Sequence, residues 1–134
     1  MKRILFGLTI LLYIIFVLHL LALYFFWYWQ FWWFDIVMHM LGGMWLAGQG
    51  MWLYWRWCRH TQKGTHIPMG ALFSVSMISV VVFGVLWELF ELSIDAYIIF
   101  KQNDISDTLS DLGADVAGGL LTFLAFSVYG RIKQ

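Results

Sequence analysis

Four long apolar runs, divided by short polar interruptions, organise this chain. The first extends from Ile4 to about Trp29, behind Lys2 and Arg3. It begins like a signal peptide, but it is too long and lacks a small-residue cleavage site, so the expectation is an uncleaved first span. The second covers about 34–55 and ends in Arg56-Trp57-Cys58-Arg59-His60. A polar loop, Thr61 to His66, leads to Pro68, the sole proline, which suits a helix start. The third run covers about 69–100. A helix of that length would measure ~48 Å against a ~30 Å hydrocarbon core, so it must tilt, project outward or break near Asp95. Lys101 to Ser106 reads as a connecting loop, and the fourth run covers about 107–129. Each run exceeds the ~18 residues that mark a spanning helix. The pattern predicts an all-α, polytopic membrane helical bundle of about four transmembrane helices, with residues 1–134 forming one integral membrane domain.

Composition agrees with lipid as the solvent: 62% of residues are hydrophobic and 12% charged, where soluble domains carry about 25% charged. Eight basic against eight acidic residues gives no excess for nucleic acid, and the sidedness of the charges carries the information. Lys2, Arg3, Arg56, Arg59, Lys63, Arg131 and Lys133 fall at one predicted face, with Lys101 the exception. The Lys/Arg bias predicts a multi-pass protein of the bacterial inner (plasma) membrane with both termini cytoplasmic. Phe25 to Trp29 and Phe31 to Phe34 then form an outer aromatic belt, and Trp52, Trp55 and Trp57 its inner counterpart. Cys58 is the sole cysteine, which rules out an intrachain disulfide.

Asp35, Glu88, Glu91, Asp95, Asp104, Asp107, Asp111 and Asp115, all the acidic residues, fall near the opposite face. Counting ~20 residues from each basic end brings polar groups of several helices to a similar depth, with His39 and Asp115 one turn further in. Asp35 and His39 are spaced i, i+4; Glu88, Glu91 and Asp95 i, i+3, i+7; Asp107, Asp111 and Asp115 i, i+4, i+8. Each set therefore lies on one helical stripe. Gly42-Gly43 and Gly118-Gly119 follow the polar groups on two helices, and small residues let helix backbones approach in lipid. Acids at helix N-termini also complement the helix dipole, which is the plainer account of Asp35 and Asp107. Asp115, Glu88 and His39 resist it because they lie deeper. His19 reads as a core histidine bonded to a neighbouring helix and His60 and His66 as loop residues, while Gln49, Ser74, Ser76 and Ser79 read as interhelical hydrogen-bonders.

Clustered carboxylates cannot all ionise unless cations neutralise them. Oxygen ligands suit Mg²⁺, Ca²⁺ or Mn²⁺, and an imidazole shifts preference toward Mn, Fe or Zn. The candidate ligands of a divalent metal ion (Mg, Mn, Ca or Zn) are Asp35, His39, Glu88, Glu91, Asp111 and Asp115. Asp104, Asp107 and Lys101 are the candidates for holding a headgroup. The favoured function is an outward-facing carboxylate/His pocket that binds a divalent cation and, through it, a membrane lipid or envelope-precursor headgroup, such as a lipid phosphate. A proton- or cation-coupled carrier is the first alternative, and with so few helices it implies a homodimer. A structural or assembly protein is the second. No nucleophile dyad is recognisable, and whether the protein is an enzyme stays open.

Asn103-Asp104-Ile105-Ser106-Asp107-Thr108-Leu109-Ser110-Asp111 resembles the NDxxDxxxD box with which UbiA-type prenyltransferases bind Mg²⁺-diphosphate. Those enzymes are larger and carry a second acidic box, which is not identified here. Phe34-Asp35-x-x-x-His39-x-x-Gly42-Gly43, then Trp87-Glu88-x-x-Glu91, then Asp107-x-x-x-Asp111-x-x-x-Asp115-x-x-Gly118 resembles the YjdF-like group of small bacterial membrane proteins, and more distantly the VanZ-like proteins. That resemblance spans about Phe34 to Gly119. The link of VanZ-like proteins to glycopeptide resistance implies handling of envelope lipids or precursors.

Overall fold

The computed structural model describes residues 2–61, 67–94 and 105–132. Along them run α1 (Lys2–Tyr24), α2 (Trp27–Gln30), α3 (Trp32–Thr61), α4 (Met69–Ile94) and α5 (Ile105–Ile132). The chain is an all-α, multi-helix membrane protein. Among the described residues, three stretches are long and apolar enough to cross a bilayer: Arg3–Tyr24, Met69–Ile94 and Ile105–Val128. Of the four spans expected, the second differs in character. With its 30 residues, α3 extends ~45 Å, and it packs against α1, α4 and α5. Surrounded by protein on several sides, it tolerates Asp35, His39, Gln49 and its glycines, whereas α1 turns Phe6, Tyr13 and Phe16 outward.

The element boundaries also depart from the apolar runs. The first helix stops at Tyr24, five residues before Trp29. Phe26 has φ 60°, a left-handed conformation that is costly for a residue with a Cβ. The turn is held by the Gln30 side-chain amide, which donates to the Phe25 carbonyl at 3.0 Å. It folds α2 back so that Trp27 and Tyr28 pack edge-on against Phe34, beside Ala22 and Met38. These two half-buried aromatics thus pack against the core and are not only belt anchors. Helix α3 begins before Phe34 and continues through the basic stretch to Thr61, with Cys58 buried in it. Pro68 does precede a helix, its carbonyl accepting the N–H groups of Ala71 and Leu72 at 3.1 and 3.3 Å. Helix α4 is described to Ile94, and Asp95 with the rest of the third run lies outside the described residues.

The close approach inferred from the glycines is present where α3 crosses α5. A Cβ on Gly43 would collide with the backbone of Asp115, and one on Gly118 with the backbone of Met40. At such contacts main chain meets main chain, so only glycine fits. The Thr122 hydroxyl donates to the Met44 carbonyl at 3.2 Å across the same pair of helices. Phe73 of α4 meets Phe123 of α5 with ring centroids 5.1 Å apart. The interhelical hydrogen bonds expected of Gln49, Ser74, Ser76 and Ser79 are not among those the described residues form, and Ser76 is fully buried with no partner for its hydroxyl oxygen.

Candidate metal centre

Three helices meet around one imidazole. His39 lies near the start of α3, and Asp35, one turn earlier, places Oδ1 3.9 Å from His39 Nε2. From α4, Glu88 Oε1 and Glu91 Oε2 lie 4.0 and 3.9 Å from the same nitrogen. From α5, Asp115 Oδ2 lies 3.5 Å from His39 Nδ1. Donor atoms of Asp35, His39 and Asp111 fall within 4.8 Å of one another, as do those of His39, Glu88 and Glu91. All six predicted ligands are therefore brought to a single place. The i, i+3 and i, i+4 spacings achieved this because each stripe faces the bundle interior, and the glycine crossing lets α5 bring its stripe to α3.

Most of this cluster is out of solvent. His39 is 7% exposed, Glu88 3%, and Asp111 and Asp115 4% each. Glu88 Oε1 and Asp111 Oδ1 are buried with no hydrogen-bond partner. The Thr108 side chain lies beside the Glu88 carboxyl. Among the described residues no Lys or Arg pairs with Glu88, Asp111 or Asp115. Anions buried this way are strongly unfavourable unless protonated or neutralised by a cation.

Three carboxylate oxygens stand 3.9–4.0 Å from His39 Nε2, too far for hydrogen bonds. Two donors each ~2.1 Å from one ion lie ~3.4 Å apart at tetrahedral corners and ~3.0 Å apart at adjacent octahedral corners. The oxygens around Nε2 stand somewhat wider than either, so a cation among them would draw them inward. Asp115 has another position. Facing Nδ1, it takes the place of the carboxylate that commonly fixes the tautomer and orientation of a metal-bound histidine. A Cβ on Gly84 would lie 2.7 Å from Asp115 Oδ2, so a glycine on α4 makes room for that carboxylate. The result is a buried acidic/His cluster able to coordinate a divalent metal ion.

An open pocket is not what the described residues form here; the cluster is closed except at one edge. That edge is made by Asp35 and Glu91, whose side chains are each 37% exposed. Near it, the Tyr28 hydroxyl and His19 Nδ1 lie 2.8 Å apart. Burial, then the charges of Asp35 and Glu91, push the Tyr28 phenol up to about 12, so it stays protonated beside His19. His19 is thus bonded to a neighbouring helix, as expected. Asp107 is exposed in the first turn of α5, one turn outside the cluster. Lys101 and Asp104 lie outside the described residues.

Residues 3–131 match one protein family, described as predicted membrane protein DUF2238. The chain belongs to that family. No curated protein and no solved structure matches it. Three neighbours of the cluster escaped the sequence reading: Tyr28, Thr108 and Gly84. Thr108 is one residue past Asp107 and three before Asp111, so its spacing was readable. Tyr28 was hidden by the turn at Phe26, and the role of Gly84 depends on where α5 lies.

Proposed function

We propose that this membrane protein binds one divalent cation between His39 Nε2 and the carboxylates of Asp35, Glu88, Glu91 and Asp111, with Asp115 orienting the imidazole. The observation that carries the reading is the pair of buried, unpartnered oxygens on Glu88 and Asp111 beside a histidine nitrogen ringed by carboxylates just beyond hydrogen-bond distance. The single imidazole among oxygens favours Mn or Zn over Ca and Mg. At the exposed edge, a lipid or envelope-precursor headgroup completes the metal's coordination through its phosphate, with Asp107 one turn outside the cluster and Asp104 and Lys101 preceding it in the sequence. The Lys/Arg bias supports a plasma-membrane orientation with cytoplasmic termini and the cluster near the outer boundary. The order of motifs along α3, α4 and α5 supports kinship with the YjdF-like and, more distantly, VanZ-like proteins.

Elemental analysis of purified wild type and a Glu88→Gln/Asp111→Asn variant of equal helicity tests the reading, followed by titration of both with Mg²⁺ and Mn²⁺. Near-stoichiometric metal in the wild type, lost in the variant, is the expected result. No metal in either protein, even after titration, overturns it and leaves protonated carboxylates, hence a proton-coupled carrier.

A further inference from the structure

At the other end of α3 lies a second feature that the metal centre does not use. A cleft of about 230 Å³ opens between α1, α3 and α5, lined by Gly7, Leu11, Met51, Trp52, Trp55 and Phe126 among others. Its walls are apolar, and the one hydroxyl on them, that of Thr122, is engaged by the Met44 carbonyl. Along α3 the cleft runs from Met44, five residues beyond His39, to Trp55, sixteen beyond it, or ~8 to ~24 Å along the helix, and none of its lining residues belongs to the metal centre.

Charge marks one end of the cleft. The Arg56 guanidinium sits over the Trp52 ring at 5.4 Å, and that of Arg59 over the Trp55 ring at 4.7 Å. Both rings are cleft walls, so two cations are held above its end by stacking. Arg3, also exposed, directly precedes Ile4, another cleft residue. Among the described residues, neither arginine has a carboxylate partner. An apolar slot capped by unpaired guanidinium groups is complementary to one constituent of the bilayer: an anionic phospholipid with a chain in the slot and its phosphate at the cap. Lys and Arg near an anionic membrane surface are favoured in this way, and arginine suits phosphate through its planar fork.

We propose that the cleft between α1, α3 and α5 binds an acyl chain of an anionic phospholipid whose phosphate is held by Arg56 and Arg59. Gly7 keeps the slot open. A Cβ there would meet nothing within 4 Å, so alanine fits, whereas the bulk of a larger side chain would compete with a ligand for the slot.

The test is native mass spectrometry of the full chain in detergent, titrated with phosphatidylglycerol and phosphatidylcholine of identical chains. Wild type is expected to bind phosphatidylglycerol preferentially. Arg56→Gln/Arg59→Gln should lose roughly 30-fold in phosphatidylglycerol affinity, about fivefold per arginine, with phosphatidylcholine binding unchanged. Gly7→Phe should lose both lipids, while Gly7→Ala retains them. Wild-type binding by Gly7→Phe, or an undiminished preference in the double arginine variant, overturns the proposal. So does a concentration-dependent dimer in place of bound lipid. The arginines are exposed, so their variant tests the proposal even if Gly7→Phe misfolds.

Discussion

Gly84→Ala should change the proposed metal centre without replacing any of its donor residues. The added methyl would lie 2.7 Å from Asp115 Oδ2 and 3.2 Å from Leu112 Cδ2. Ordinary contact begins at 3.4 Å, so the carboxylate must retreat by about 0.7 Å, the difference between 3.4 and 2.7. Both obstacles are ends of flexible side chains, so the fold accommodates the change. Alanine gains up to ~1 kcal/mol in helix propensity, and the crowding costs ~1–3 kcal/mol, leaving net stability within about 2 kcal/mol of wild type. The function should suffer more. Asp115 Oδ2 is 3.5 Å from His39 Nδ1, and moving it away loosens the imidazole. Losing such an orienting partner reduces metal affinity ~10–100-fold, so Gly84→Ala should lose about tenfold. The assay is Mn²⁺ titration by calorimetry on detergent-purified protein, with thermal unfolding measured on the same samples. Gly113→Ala is the control, since a Cβ there meets nothing within 4 Å. Affinity within twofold of wild type for both Gly84→Ala and Asp115→Asn would refute the orienting role.

Other expectations follow from the same geometry. Gly43→Ala and Gly118→Ala place a methyl against main chain at the α3–α5 crossing and should destabilise by ~1–3 kcal/mol or more, seen as a lower Tm, while Gly113→Ala keeps or raises its Tm. Asp111→Asn and Glu88→Gln should abolish metal binding yet raise the Tm of the metal-free protein, because each removes a buried acid that no Lys or Arg pairs with among the described residues; a lower metal-free Tm in both would contradict the electrostatic account. Tyr28, raised by burial and by Asp35 and Glu91 to about 12, contributes stability that is complete below its unfolded value near 10 and is lost as pH climbs through 10 to 12. The fall in Tm over that window should therefore be shallower in Tyr28→Phe, and identical slopes would show that the phenol does not titrate so late.

The sequence alone determined the medium, the helical architecture and the membership of the acidic cluster. Those properties are local or periodic. Run length and hydropathy report spanning helices directly, and the spacings Asp35–His39, Glu88–Glu91 and Asp111–Asp115 place each pair on one face whatever the helices pack against. Only the tertiary structure decided how the members divide their work. That Asp115 faces Nδ1 while Asp35, Glu88 and Glu91 surround Nε2 depends on the rotation of three helices about a common axis, which no single stripe encodes. Likewise, Asp107 shares a stripe with Asp111 and Asp115 but lies a turn beyond the crossing, so periodicity placed it correctly in angle and could not place it in depth. The break at Phe26 was illegible because nothing in Phe25-Phe26-Trp27 opposes a helix locally; the left-handed turn is sustained by Gln30 and by the packing of Trp27 and Tyr28 on Phe34. Tertiary contacts also made α3 the central helix. Its moderate hydropathy reflects contact with protein where α1, α4 and α5 present more of their surface to lipid.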